Sequence, residues 1–283
     1  MKRGYADTPE GQIHYTTAGE GEPLLLLHQT GSSRQYWKLM PLLAERYRII
    51  APDNLGSGNS DPLPPNVQIA DLARSMIHCM DFLGIEKTHI FGFHTGNKIA
   101  TEMAATWPSR VDQLILCGHT HSIMVKHEAL NAALMAVVWP SIRKFEPEPN
   151  GSHLVKQWAA EFGSVAGLWW DTSNFAREKL SPELFQRRRE RVIEYLQIRE
   201  VPEVYRAIFG FDLGARMRQI KVRTLLIEVA TPQEEHLGRQ GEKLVKLIAG
   251  SQLVTVEHAV GGIVVEVEAE RLAKLILDFL SSS

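Results

Sequence analysis

The chain has 283 residues, with 31 Lys and Arg set against 33 Asp and Glu, and a formal charge of −2. A chain this balanced offers no basic field for nucleic acid. Its 44% hydrophobic and 23% charged residues argue against disorder, coiled coil and collagen-like repeats. No apolar run approaches the roughly 18 residues needed to cross a bilayer, so we expect no membrane span.

Cysteine usage bears on the compartment. Cys79 and Cys117 are the only cysteines, too few for a disulfide framework, which indicates a reducing environment. The N-terminal residues turn polar at once, unlike a secretory signal. We therefore expect a cytoplasmic protein.

Short apolar runs alternate with amphipathic stretches along the chain. The segment from Gly4 to Thr17, with a turn at Gly11, predicts an antiparallel hairpin at a sheet edge. Six apolar runs predict buried strands: Pro23–His28, Tyr47–Pro52, His89–Phe93, Gln113–Cys117, Thr224–Val229 and Gln252–Val256. Helical patterns cover Gln68–Leu83, Gly96–Trp107, Gly241–Ile248 and Glu268–Leu280. This alternation predicts an α/β fold with a mostly parallel, doubly wound sheet.

The alternation stops over residues 122–219, where helical patterns dominate. We predict a core of residues 1–121 and 220–283, and a helical cap of residues 122–219 that forms a lid over the carboxyl ends of the strands. Open α/β sheets bind ligands at those ends. The basic cluster Arg187–Arg189 in this insert is interpreted as a solvated helix face.

Three motifs follow predicted strands in a fixed order. They are Leu27-His28-Gln29-Thr30-Gly31, Pro52-Asp53-Asn54-Leu55-Gly56-Ser57-Gly58-Asn59-Ser60 and Gly92-Phe93-His94-Thr95-Gly96. The set resembles the α/β-hydrolase superfamily, with its His-Gly loop after the third strand, its Pro-Asp-x-x-Gly-x-Gly-x-Ser loop and its nucleophile elbow between a strand and a helix. The resemblance runs from about Tyr5 to Leu280 and implies the α/β-hydrolase fold without an organic cofactor. Asp53 is interpreted as bonding the loop backbone.

The elbow carries His94 where the superfamily has serine, aspartate or cysteine. An imidazole has a reference pKa of about 6.5, so it is partly neutral at pH 7 and needs no separate base. Two roles stay open: a nucleophile that attacks an acyl carbon, or a general base that takes a proton from water or from an acidic substrate carbon. The resemblance implies that the backbone N–H groups of Gln29 and Thr95 form an oxyanion hole.

The other two triad positions are replaced as well. Where the superfamily has its acid the chain reads Ala230-Thr231-Pro232-Gln233, and the histidine position falls on Gly261 or Gly262. A displaced dyad is an open alternative, since a re-aimed loop can bring other side chains to the elbow. The candidates for it are His258 as a catalytic partner and Glu228, Glu234 and Glu235 near the acid position.

Further polar and aromatic residues are candidates for substrate binding. His28, His94 and His119 or His121 follow strands that are neighbours in the superfamily's sheet, so we expect these rings to line one polar pocket. For His28 a structural role in its loop is the alternative. A zinc site is another alternative, but spacing across separate strands does not supply its ligand geometry, and we predict no metal. Trp139 and Trp158 are candidates for an apolar lining, with packing inside the insert as the alternative.

The sequence thus predicts an enzyme that acts on a small, largely apolar carbonyl compound, an ester, a lactone or a related molecule. A non-hydrolytic lyase or decarboxylase is one alternative. A non-catalytic ligand-binding member of the fold is another, because relaxed catalytic demand also removes triad residues. The expected partner is a small molecule, not nucleic acid or a membrane, and a homo-oligomer is compatible with the sequence.

Overall fold

The computed structural model of the chain describes residues 1–118, 147–166, 182–197, 201–230, 239–257 and 264–282. The described strands form one sheet: β1 (Lys2–Thr8), β2 (Gly11–Ala18), β3 (Pro23–Leu27), β4 (Arg48–Pro52), β5 (Thr88–Phe93), β6 (Val111–Cys117), β7 (Arg223–Ala230) and β8 (Gln252–Glu257). Their order is β1-β2-β4-β3-β5-β6-β7-β8. β2 pairs antiparallel with β1 and β4, and the other pairs are parallel. The predicted mostly parallel sheet with an edge hairpin is confirmed.

The described helices lie between these strands and in the insert. They are α1 (Leu39–Leu43), α2 (Ile69–Phe82), α3 (Thr95–Thr106), α4 (Ser152–Ala166), α5 (Pro182–Gln197), α6 (Val201–Gly210), α7 (Leu213–Met217), α8 (Gly241–Leu244), α9 (Val264–Val267) and α10 (Ala269–Ser281). The predicted helix Gly241–Ile248 divides into α8 and a 3₁₀ turn, Val245–Leu247. None of the described helices combines the length and apolarity that crossing a bilayer requires.

The side chains of β3 show why the sheet is covered on both faces. Leu25 and Leu27 belong to the apolar core under α2 and α3, whereas Leu24 and Leu26 belong to the core under α1 and α10. Successive residues of a strand point to opposite faces, so an unbroken apolar run needs helices on both sides. The predicted doubly wound arrangement follows from this.

Within residues 147–217, the regular elements that the structure describes are all helices. This agrees with the helical composition predicted for the insert. The boundaries of the cap at residues 122 and 219, and its action as a lid, stay predictions.

α3 packs directly on the end of β3, and two glycines make that approach feasible. A Cβ at Gly96 would overlap the carbonyl group of Leu27, and a Cβ at Gly92 would lie 2.5 Å from the carbonyl oxygen of Gly96. Both glycines of the elbow motif are therefore required by backbone packing and not only by chain flexibility.

We expect Gly96→Ala to lower the free energy of unfolding by about 2–3 kcal/mol, because the added methyl group forces α3 away from β3. Gly210→Ala is the matched control, since a Cβ there meets nothing within 4 Å; we expect a change of less than about 0.5 kcal/mol. Urea denaturation measures both. Equal losses in the two variants would contradict the packing argument.

Candidate active site

The elbow between β5 and α3 is centred on His94. Its φ of 49° and ψ of −104° lie outside the regions that non-glycine residues normally occupy. The backbone N–H of His94 donates to the carbonyl oxygen of Cys117 at 3.0 Å, and its own carbonyl accepts from the N–H of Asn97 at 3.2 Å. These bonds hold a conformation that costs about 1–3 kcal/mol. The turn is thus sharp, strained and fixed by the backbone.

The imidazole of His94 is held between two neighbours. It packs edge-on against the ring of Phe93, with centroids 4.3 Å apart. It also lies beside Gly118, directly after β6, where a Cβ would stand 2.9 Å from Nε2. Because Gly118 has no side chain, the ring has room at the carboxyl end of the sheet. The residue is partly exposed, so it is not sealed in the packed interior.

The segments that carry the two predicted oxyanion donors lie side by side. The hydroxyl oxygens of Thr30 and Thr95 are 3.2 Å apart. Thr30 follows Gln29 in the loop after β3, and Thr95 opens α3 and is 5% exposed. This contact brings the loop of one predicted donor to the helix that carries the other.

Asp53 fixes the loop after β3 to the loop after β4. Its Oδ1 accepts from the N–H of Ser33 at 2.8 Å and from the Ser33 hydroxyl at 2.6 Å. Its Oδ2 accepts from the N–H of Asn59 at 3.0 Å and lies 2.9 Å from Nδ1 of His14. Burial alone would raise the pKa of this carboxyl, but the hydrogen bonds from His14 and Ser33 outweigh it and lower the pKa to about 2. Asp53 is therefore ionised and bonds the loop backbone, as interpreted from the sequence.

His28 links the same two loops. Its Nε2 accepts from the N–H of Asn54 at 2.8 Å, and its Nδ1 donates to the carbonyl oxygen of Gln29. This pattern requires a neutral ring, and complete burial lowers the pKa of His28, with the charge of Asp53 only partly offsetting it. With both ring nitrogens bonded to the backbone, the geometry favours the structural role over substrate or metal binding.

Glu228, near the replaced acid position, accepts hydrogen bonds from other parts of the protein. Its Oε1 accepts from the N–H groups of Gln240 and Gly241 at 2.7 and 2.8 Å, and its Oε2 accepts from the Thr255 hydroxyl at 3.2 Å. The carboxylate thus binds the N-terminus of α8, a favourable place for a negative charge. This arrangement favours a structural role over a place in a displaced dyad.

Several predicted residues lie outside the described residues: His119, His121, Trp139, Thr231–Glu235, His258 and Gly261–Gly262. Trp158 is described. It lies on α4, is 37% exposed, and its ring centroid is 6.3 Å from that of Phe185 on α5. Within the described ranges, no three His, Cys, Asp or Glu side chains are grouped so that they could hold a metal ion.

The basic cluster on α5 differs from its prediction. Arg189 is exposed as expected, but Arg187 and Arg188 are buried, with 4% and 6% exposure, so the interpretation as a solvated face is wrong for these two. Nη1 of Arg187 lies 2.8 Å from Oε1 of Glu194, and its Nε lies 3.1 Å from Oε1 of Glu266. The guanidinium is buried because two carboxylates satisfy it, which is the condition for burying a charge.

This ion network joins α5 to the core and to the loop after β3. Nε1 of Trp37 donates to Oε2 of Glu266 at 3.4 Å, and Ser32 hydrogen-bonds Glu194. Burial raises the pKa of Glu194, although Arg187 and Ser32 counteract it. The predicted insert thus contacts the same loop that carries Gln29.

Sequence reasoning missed Lys98, which is buried in α3 and donates from Nζ to the carbonyl oxygen of His94 at 3.3 Å. A signal was available in the sequence. Lys98 follows His94 by four positions, one helical turn, so the side chain of Lys98 was to be expected on the face of α3 that meets the elbow.

The comparisons with known proteins bear on the fold. Residues 22–141 match a family model described as the alpha/beta hydrolase fold, a stretch that contains all three motifs. The solved structure of an enol-lactonase from Burkholderia xenovorans LB400 has a TM-score of 0.72 at 20% identity, over 99% of this chain and 100% of that chain. That likeness establishes the fold. The chain thus has the α/β-hydrolase fold, and its residues 22–141 are similar to the family that the model describes.

Two curated relatives are hydrolases by name. A 2-hydroxy-6-oxononadienedioate/2-hydroxy-6-oxononatrienedioate hydrolase of Paraburkholderia xenovorans (strain LB400) is 38% identical over 116 residues, or 38% of this chain and 40% of that protein. A 2-hydroxy-6-oxo-6-phenylhexa-2,4-dienoate hydrolase of Comamonas testosteroni is 27% identical over 233 residues, 78% of this chain and 74% of that protein. The chain spans about two fifths of the length of the first relative.

Replacing Asp53 should expose its part in fixing the loops. We expect Asp53→Asn to lower the free energy of unfolding at pH 7 by about 2 kcal/mol, the equivalent of the drop in pKa from 3.8 to about 2. Because the folded-state pKa is depressed, the stabilisation is complete above about pH 4 and is lost as the pH falls towards 2. Urea midpoints of the wild type and the variant should therefore converge over that interval. Asp278→Asn, an exposed carboxylate bound to Lys274, is the control. A difference between wild type and Asp53→Asn that is independent of pH would contradict the argument.

The strain at the elbow is measurable with two variants that both lack the ring. Glycine adopts a positive φ without a steric penalty, whereas alanine does not. We expect His94→Gly to unfold with a free energy about 1–2 kcal/mol higher than His94→Ala. Thermal or urea unfolding measures the difference. A glycine variant less stable than the alanine variant would mean that the backbone relaxes.

Proposed function

We propose that the chain is a hydrolase that acts on a small, largely apolar carbonyl compound, such as an ester or a lactone, with His94 as nucleophile or general base. The observation that carries this is a partly exposed imidazole on a strained elbow, next to the loop of Gln29 and the start of α3. The names of the two curated relatives and of the structural neighbour, all enzymes that hydrolyse small molecules by those names, support the same class.

As a nucleophile, the neutral ring nitrogen of His94 attacks the acyl carbon, the alcohol leaves, and water then hydrolyses the acyl-imidazole. As a general base, the ring takes a proton from the water that attacks the acyl carbon, and the imidazolium returns that proton to the alcohol oxygen as the acyl–oxygen bond breaks. In both routes negative charge develops on the carbonyl oxygen. The backbone N–H groups of Gln29 and Thr95 are the donors proposed to stabilise it.

A non-catalytic binding protein is the second candidate. The observation that favours it is that Glu228 accepts hydrogen bonds from the N-terminus of α8. This carboxylate is therefore bound away from the elbow and does not serve there as the acid of a catalytic dyad. A binding protein would hold the carbonyl compound at the same place without breaking a bond.

His94→Ala tests the proposal. We expect hydrolysis of p-nitrophenyl esters and of small aliphatic and aromatic lactones to fall at least about 100-fold, because the acid–base or nucleophilic group is removed. The dissociation constant of a ligand that the wild type turns over should change by no more than a few-fold. His78→Ala, a histidine on α2 bound to Glu10, is the matched control and should keep wild-type turnover.

Mass spectrometry of the intact wild type, quenched during turnover of p-nitrophenyl acetate, tests the nucleophilic route. One acetyl group that the wild type carries and that His94→Ala lacks under the same conditions identifies the nucleophile. His94→Ser tests the displaced dyad, because new esterase activity would require an existing partner such as His258. Unchanged turnover in His94→Ala would remove the ring from the mechanism. A wild type that binds these compounds saturably and hydrolyses none of them would favour the binding protein.

A further inference from the structure

Lys98 is a charged side chain in the interior, on the helix that begins at the elbow. It is 2% exposed, and lysines are almost never buried to this extent unless their ammonium group has partners. Side chains on a helix lean towards its N-terminus, and Lys98 stands one turn after His94. Its ammonium group therefore reaches back to the elbow.

That ammonium group donates to the carbonyl oxygen of His94, at 3.3 Å from Nζ. The same oxygen accepts from the N–H of Asn97. This carbonyl belongs to the peptide group whose N–H is that of Thr95. A trans peptide places its C=O and N–H on opposite sides. The ammonium group thus binds one end of the peptide, and the N–H of Thr95 points away from it at the other end.

A cation bound to a peptide carbonyl changes the donor at the far end of the same peptide. It draws electron density from the nitrogen towards the oxygen, so the N–H becomes a stronger hydrogen-bond donor. A fixed positive charge in a water-poor site also stabilises negative charge that develops nearby. Neither effect requires the lysine to touch the substrate.

We propose that Lys98 is a positioning residue of the site: it holds the peptide between His94 and Thr95 in place and strengthens the N–H of Thr95 as an oxyanion donor. The inference rests on the proposed function, since the ligand of that N–H is a carbonyl oxygen that gains negative charge. This role explains why a lysine is buried at this position. An apolar residue of similar size would fill the same space without the desolvation cost of a charge.

The chemical shift of the Thr95 amide proton tests the polarisation without any substrate. Selective ¹⁵N-threonine labelling displays the amide, and Thr95→Ser identifies it by loss of its peak. We expect Lys98→Met to move this proton to lower chemical shift, and Lys98→Arg, which keeps the charge, to restore it. Lys98→Gln keeps a donor without the charge and should behave as Lys98→Met, so it replaces the methionine variant if that variant does not fold. Lys87→Met, an exposed lysine bound to Asp112, is the matched control.

Turnover of p-nitrophenyl acetate gives the second measurement. We expect kcat to fall about tenfold in Lys98→Met with KM changed less than about threefold, a part of the roughly 10²–10³-fold loss caused by removing a whole oxyanion donor. Lys98→Arg should recover most of kcat. A purely structural lysine would lower the melting temperature in both variants and leave the Thr95 shift of the folded protein unchanged.

These two measurements separate failure of this inference from failure of the proposed function. Suppose that the Thr95 amide shift moves in Lys98→Met and returns in Lys98→Arg, while the wild type hydrolyses no ester or lactone. That result would uphold the polarised peptide and overturn the proposed hydrolase activity. A Thr95 shift that is the same in wild type, Lys98→Met and Lys98→Gln would overturn the inference, whatever happens to turnover.

Discussion

The positive φ of His94 is the constraint on which the rest of the site depends. It turns the chain sharply from β5 into α3, and the turn survives because both polar groups of the residue's backbone are bound, to Cys117 on one side and to Asn97 and Lys98 on the other. The close approach of α3 to β3 at Gly96 keeps the turn from relaxing. The energy stored in one residue is thus offset by contacts spread over three strands and a helix.

Two buried polar groups, one charged and one neutral, hold the two loops beside the elbow. Asp53 keeps its charge because four donors surround it, whereas His28 is neutral because one ring nitrogen must accept from a backbone N–H. Each group satisfies backbone atoms that would otherwise be buried without partners. The loop that bears Gln29 therefore has its shape set by the protein and not by a ligand.

Much of the fold was predictable because it depends on local patterns. The unbroken apolar run of β3 requires cover on both faces, and the two glycines around His94 mark a turn that only close backbone packing explains. Contacts between distant residues left no such pattern. Arg187 meets Glu266 79 positions away, so a buried ion network looked like a solvated helix face. Glu228 lies near the acid position in the sequence, but no sequence pattern indicated its hydrogen bonds to the N-terminus of α8.

The network of Arg187, Glu194 and Glu266 has a mechanical consequence. Removing one member of a buried ion pair typically costs about 3–5 kcal/mol, so separation of α5 from the core at this point is a rare event. This network therefore holds α5 against the segment from Ser32 to Trp37, and a ligand that reaches the proposed site has to enter without separating the two. The loop that carries Gln29, one of the proposed oxyanion donors, is accordingly held in position by the protein before any ligand arrives.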